Sequence, residues 1–140
     1  MNAYFLILLI ALAGGLRTFI PLVAVRWPYA NWTTWLAALF ALGELVADKL
    51  PQAPARTRPL GLVARCIFSS YAAWAVGTPL GVSPPLAICF GVIGAIAGAY
   101  IGLAWRVRLA PSIKLPSIVA ALLEDVVAIV VAFWVVLGAH

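Results

Sequence analysis

Long apolar runs separated by short polar connections account for most of the chain. Five runs, over residues 4–25, 32–49, 60–77, 86–105 and 115–138, each approach the roughly 20 residues that carry a helix across a bilayer. The pattern predicts an all-α integral membrane protein with one transmembrane domain over 1–140 and about five transmembrane helices. Two runs are two-faced. In the second, Thr33, Ala37, Ala41, Glu44 and Asp48 share a small, acidic face, with Leu36, Phe40, Leu42 and Leu45 elsewhere around the helix. In the fifth, Ser117, Ala120, Ala121, Glu124, Asp125, Ala128 and Ala132 share a broad face opposite Leu122, Val126, Ile129 and Phe133.

Glu124 and Asp125 fall near the centre of the fifth run, where an unpaired charge costs about 2.5–3.5 kcal/mol on insertion scales. They must be paired, hydrated or functional. Adjacent helical residues diverge by about 100°, so the two acids are expected to address different partners from an inward face. The first run contains Gly14-Gly15-Leu16-Arg17-Thr18-Phe19-Ile20-Pro21. Pro21 cannot donate to the carbonyl of Arg17, so a charge and a freed acceptor coincide, and a broken or kinked helix is expected. Arg17 either bonds an acid beside a packed kink or takes part in binding.

Counting depth from the helix ends puts Arg17, Glu44, Glu124 and Asp125 within roughly two turns of one level, which makes an ion-pair network around Arg17 reasonable. They are the candidate substrate- or ion-binding residues. Asp48 and Lys49, at the cytoplasmic end of the second run, read as solvated or snorkelling contributors. Ser69, Ser70 and Tyr71 either bond neighbouring helices or line a polar path. One arginine cannot neutralise three carboxylates. With Arg65 at the interface, the surplus charge would be protonated, hydrated or balanced by a bound cation. In the fourth run Gly94, Gly98 and Gly102 form a groove for close helix packing, within the chain or between copies in a homo-oligomer.

Composition narrows the class. With 66% hydrophobic and 9% charged residues the chain lies far from soluble proteins. A net charge of +5 would point to nucleic acid in a soluble domain, but here the basic residues sit mostly between runs and report orientation. Lys49, Arg56, Arg58 and Arg65 flank the second connection, and Arg106, Arg108 and Lys114 the fourth. Five crossings would therefore put the N-terminus in the cytoplasm and His140 outside, in a bacterial inner membrane. Membrane lipid is the expected partner, and the arginines of the proline-rich connection would meet anionic headgroups or, alternatively, guard a phosphate entrance.

Ala11-Leu12-Ala13 resembles a signal cleavage site, yet no Lys or Arg precedes the run, so it is read as a mature helix. Cys66 and Cys89 are expected about 15 Å apart in depth, too far for a disulfide. The only histidine is His140 and no C-x-x-C occurs, so no metal or other cofactor is expected. Without a Ser-His-Asp or Cys-His set, no enzyme is expected either. Ala11-Leu12-Ala13-Gly14-Gly15 loosely echoes Ala95-Ile96-Ala97-Gly98-Ala99, and two helix pairs around a central helix could form inverted repeats.

Three motifs add a resemblance that spans nearly the whole chain. Gly15-Leu16-Arg17-Thr18-Phe19-Ile20-Pro21-Leu22, Gly43-Glu44-Leu45-Val46-Ala47-Asp48-Lys49-Leu50-Pro51, and Pro116-Ser117 followed by Leu123-Glu124-Asp125 resemble a family of small bacterial inner-membrane proteins carrying a domain of unknown function. The resemblance implies a polytopic helical protein with Arg17, Glu44, Asp48, Lys49, Glu124 and Asp125 at motif positions. The chain departs at Ile118, where the pattern has Asn, and its fourth connection is short. Two functions fit: a transporter or channel-like protein binding an ion, proton or small solute at the carboxylate/arginine cluster, and a structural or assembly protein whose buried ion pairs fix packing.

Overall fold

The computed structural model describes residues 2–48 and 58–139; Lys49 and the rest of the segment 49–57 lie outside the described residues. The elements are α1 (Ala3–Leu16), α2 (Ile20–Arg26), a 3₁₀ turn (Trp27–Tyr29), α3 (Trp32–Ala47), α4 (Pro59–Gly77), α5 (Pro84–Ala104), a π-helical turn (Trp105–Leu109), α6 (Ala110–Ser112) and α7 (Ser117–Ala139). Three stretches, Pro59–Gly77, Pro84–Ser112 and Ser117–Ala139, are long and apolar enough to cross a membrane; Ala3–Leu16 and Trp32–Ala47 are shorter apolar helices. The chain's outer surface is apolar too: Trp35, Leu39, Leu42 and Val46 on α3, and Val126, Val130 and Leu137 on α7, are exposed. Such a continuous apolar exterior suits lipid.

The first apolar run is not one continuous helix. At 1.5 Å per residue α1 is about 21 Å long and α2 about 10 Å, and neither spans a hydrocarbon core of about 30 Å. Between them the chain turns back. Gly14 lies against Ser69 on α4, and Ile7, earlier in α1, lies against Gly77 at the far end of α4. Yet Val25 and Arg26, at the end of α2, share a cleft with Thr78, Val136 and Ala139. The start of α1 and the end of α2 are thus at one end of the bundle, with residues 17–19 at the tip of a re-entrant hairpin.

Local chemistry explains the break. Arg17 is extended (φ −140°, ψ 118°), and Pro21 occupies the first turn of α2, where its missing N–H costs nothing. Phe19 anchors the tip between α3 and α4, with ring centroids 5.3 Å from Phe40 and 5.1 Å from Phe68. The sequence pattern predicts a broken or kinked helix here, within one run over 4–25; the structure shows the break.

Five continuous helices would put the two ends of the chain at opposite ends of the bundle, and the reversal does not. Asn2 and Ala139 lie at the same end of the bundle, opposite the ends of α3 and α5. The inverted-repeat expectation also fails, on direction. Ala11 meets Gly94 and Gly15 meets Gly98, both steps running the same way, so α1 and α5 are parallel; an inverted pair would run in opposite directions.

Helix α1 is the centre of the core: Leu6, Ile7, Ile10 and Ala11 are at most 1% exposed. Its contact with α5 needs glycine. A Cβ on Gly98 would come within 2.9 Å of Gly15 Cα and also meet the Leu12 carbonyl, and one on Gly15 would come within 2.7 Å of Gly98 Cα. The Gly94/Gly98 groove is therefore filled by the chain's own α1. Gly102, one turn further, is buried as well.

Candidate functional site

The hairpin tip delivers Arg17 into a cluster of ion pairs about two turns inside the end of the bundle where α4 and α7 begin. Arg17 is fully buried. Its Nη1 donates to Asp48 Oδ2 at 2.6 Å, and its Nη2 pairs with Asp125 Oδ1. Asp48, just past the last turn of α3, also pairs through Oδ2 with Arg106 Nη2. Arg106 in turn donates from Nε to Glu124 Oε2 at 3.0 Å. Since Glu124 and Asp125 are neighbours on α7, the sequence of contacts Asp125–Arg17–Asp48–Arg106–Glu124 closes into a ring. It joins the hairpin tip, α3, the π turn and α7.

Each member reaches the ring for a local reason. The inward face of α7 carries Ala120, Ala121, Ala128 and Ala132, small residues that let α7 approach while Glu124 and Asp125, both 5% exposed, project between neighbours. The two acids diverge to different arginines, as the helical angle requires. The π turn at Trp105–Leu109 places Arg106 toward α7, and the Trp105 indole N–H donates to the Ala120 carbonyl at 3.1 Å, holding the two elements together. Local π-helical insertions of this kind are frequent at functional sites.

Glu44 belongs to an adjoining set of contacts. Its Oε1 accepts from Thr18 N at 3.0 Å and Thr18 Oγ1 at 2.8 Å, and its Oε2 accepts from Phe19 N at 3.2 Å. In a continuous helix those two amides would bond the carbonyls of Gly14 and Gly15. Glu44 replaces them, and so holds the break open with charge-assisted bonds. Arg65 Nη2 lies 3.6 Å from Glu44 Oε1.

The structure thus brings together Arg17, Glu44, Glu124 and Asp125, and it revises three expectations. Asp48 is not a solvated end residue: its side chain is 14% exposed and is shared by two arginines. Arg65, left out of the charge count as an interfacial residue, is buried in the protein beside Glu44. Three arginines rather than one face the acids, with Arg65 and Arg106 joining Arg17, so that four carboxylates meet three guanidiniums. Arg106 was missed because its position at the end of an apolar run made it look like a topology signal. The clue was the excess of in-span carboxylates over in-span cations.

Ser69, Ser70 and Tyr71 do not join the cluster. Ser69 is buried against Gly14, Ser70 Oγ donates to the Ile88 carbonyl at 3.4 Å, and Tyr71 Oη accepts from Arg26 Nη1 at 3.2 Å. Ser117, expected on the inward face of α7, is exposed. Lys49 lies outside the described residues.

Chemically, the ring holds three carboxylates and two guanidiniums in contact, so removing any one leaves its neighbours desolvated and unbalanced. Asp48 is its pivot, because one oxygen serves two guanidiniums and can release either while keeping the other. Among the described residues no three acidic, Cys or His side chains are grouped as they would be around a metal ion. No family model, curated protein or solved structure matches this chain.

Proposed function

We propose that the chain is a small polytopic membrane transport protein, in which the ion-pair ring binds an ion, a proton or a small solute beside the tip of the re-entrant hairpin. The observation that carries this reading is the hairpin itself. Non-helical backbone at depth is tolerated where protein buries it or where it lines a pathway, and broken helices with charges at the break are how many transporters build their sites. A solute or proton arriving at Asp48 would compete with Arg17 and Arg106 for one carboxylate oxygen, and the exchange would free the tip from α3. Arg58, Arg108 and Lys114 lie at the ring end of the bundle, so the positive-inside rule puts that end in the cytoplasm and both termini outside, in a bacterial inner membrane. Copies assembling into an oligomer would use a face other than Gly94/Gly98.

The test is flux in proteoliposomes across a panel of protons, alkali cations and small organic anions, for wild type beside Asp125→Asn. Wild type should carry one of these faster than empty vesicles, and D125N should lose at least tenfold of that flux while keeping its elution profile. The structural reading is favoured by a different observation, that every acid of the cluster already faces an arginine. Flux equal to empty vesicles throughout, with D125N merely melting lower, would establish that reading and end the transport proposal.

A further inference from the structure

A second charged site lies at the other end of α3 and is independent of the ring. Arg26 ends α2 and lines a cleft of about 400 Å³ together with Tyr29, Tyr71, Trp74, Val76 and Val136. Its Nη1 donates to Tyr71 Oη at 3.2 Å and its Nη2 to Thr33 Oγ1 at 2.6 Å, with Asn31 Oδ1 at 3.5 Å; the guanidinium carbon is 5.9 Å from the Tyr29 ring centroid. All these partners are neutral. Arg26 Nε is buried and donates to nothing among the described residues.

The chain has four acidic side chains, and all four lie in the ring or beside it. Glu44, the first acid along α3, is eleven residues and about 16 Å from Thr33. Among the described residues this guanidinium faces no counter-charge, which favours an anion, and its fork matches phosphate oxygens. Apart from Thr78, whose hydroxyl donates to the Trp74 carbonyl at 2.8 Å, the rest of the lining is apolar, with Val76, Val136 and the Trp74 ring among it, so the occupant should carry hydrocarbon next to its charge.

We infer that the Arg26 cleft is a binding site for an anionic phosphate headgroup, with Arg26 holding the phosphate and the lipid's hydrocarbon lying along Val76 and Val136. Tyr71 and Thr33 fix the guanidinium plane in advance, which confers preference for a bidentate anion over a merely polar group. A zwitterionic choline lipid carries the same phosphate but neutralises it, and inorganic phosphate lacks the hydrocarbon. Both should bind more weakly.

Thermal unfolding of the full chain in detergent, titrated with dioleoylphosphatidylglycerol, dioleoylphosphatidylcholine or inorganic phosphate, tests this, since a ligand of the folded state raises the melting point. The glycerol lipid should protect wild type at about tenfold lower concentration than the choline lipid, and Arg26→Gln should remove that difference. Arg108→Gln, an exposed arginine at the opposite end, should preserve it. If R26Q does not fold, Ala75→Phe, which fills the cleft and leaves Arg26 in place, should remove the preference instead. A preference that survives in R26Q or A75F, or that is lost in R108Q, overturns the site. Protection by inorganic phosphate equal to that by the glycerol lipid overturns the lipid assignment.

Discussion

At Thr18 and Phe19, two amides that a continuous helix would bond to Gly14 and Gly15 are bonded instead to the Glu44 carboxylate. A glutamine there keeps one acceptor oxygen but sets an amide NH₂ against one of the donors. Glu44→Gln should therefore destabilise the protein by about 1–3 kcal/mol, with faster hydrogen exchange at Thr18 and Phe19 than elsewhere in α2. Arg17 carries a larger share. Its removal leaves Asp48 and Asp125 facing each other across a desolvated gap, so Arg17→Gln should cost about 3–5 kcal/mol in a denaturant titration. In a double-mutant cycle with D125N the two changes should be non-additive by about 0.5–3 kcal/mol, because the second removes part of the charge that the first orphans. Additive losses would mean that the two side chains do not interact.

Among the elements, the α1–α5 contact rests on backbones too close for a side chain between them. Gly98→Ala sets a methyl against Leu12 and Gly15 backbone, which cannot swing aside as a flexible side chain would, and should cost about 1–3 kcal/mol. Gly43 on α3 has nothing within 4 Å of its Cβ position. Gly43→Ala should leave the melting point unchanged or raise it slightly, since alanine is the better helix former by about 1 kcal/mol. A melting point for Gly98→Ala that is unchanged or raised, as for Gly43→Ala, would show that no close packing constrains Gly98. The glycine spacing on α5 and the small, acidic stripe on α7 were legible in the sequence because helical periodicity sorts residues by face before any partner is known. What fills the groove was not legible: lipid exerts no apolar pull between helices, so a small-residue stripe accepts a helix from its own chain or from another copy alike.

For the whole molecule, the hairpin returns the chain to the end of the bundle where α1 begins, and both described ends, Asn2 and Ala139, fall at that end. In a background with Cys66 and Cys89 replaced by serine, Asn2→Cys and Leu137→Cys should react with an impermeant thiol reagent from the same face of a sealed vesicle, and Arg108→Cys from the other. Labelling of N2C from the Arg108 face would restore a single crossing over the first apolar run. The sequence by itself determined the membrane class, the helical elements and the inward acids, because apolar length and helical period are local properties of the chain. It also marked the break at Arg17–Pro21, since proline's missing donor is local too. Only the tertiary structure decided that the chain reverses there. A kink and a reversal free the same backbone groups, and the choice depends on which distant side chain satisfies them. Here that group is Glu44, and by the same logic Asp48 and Arg106 entered the ring from helix ends where, read alone, each looked like a solvated charge.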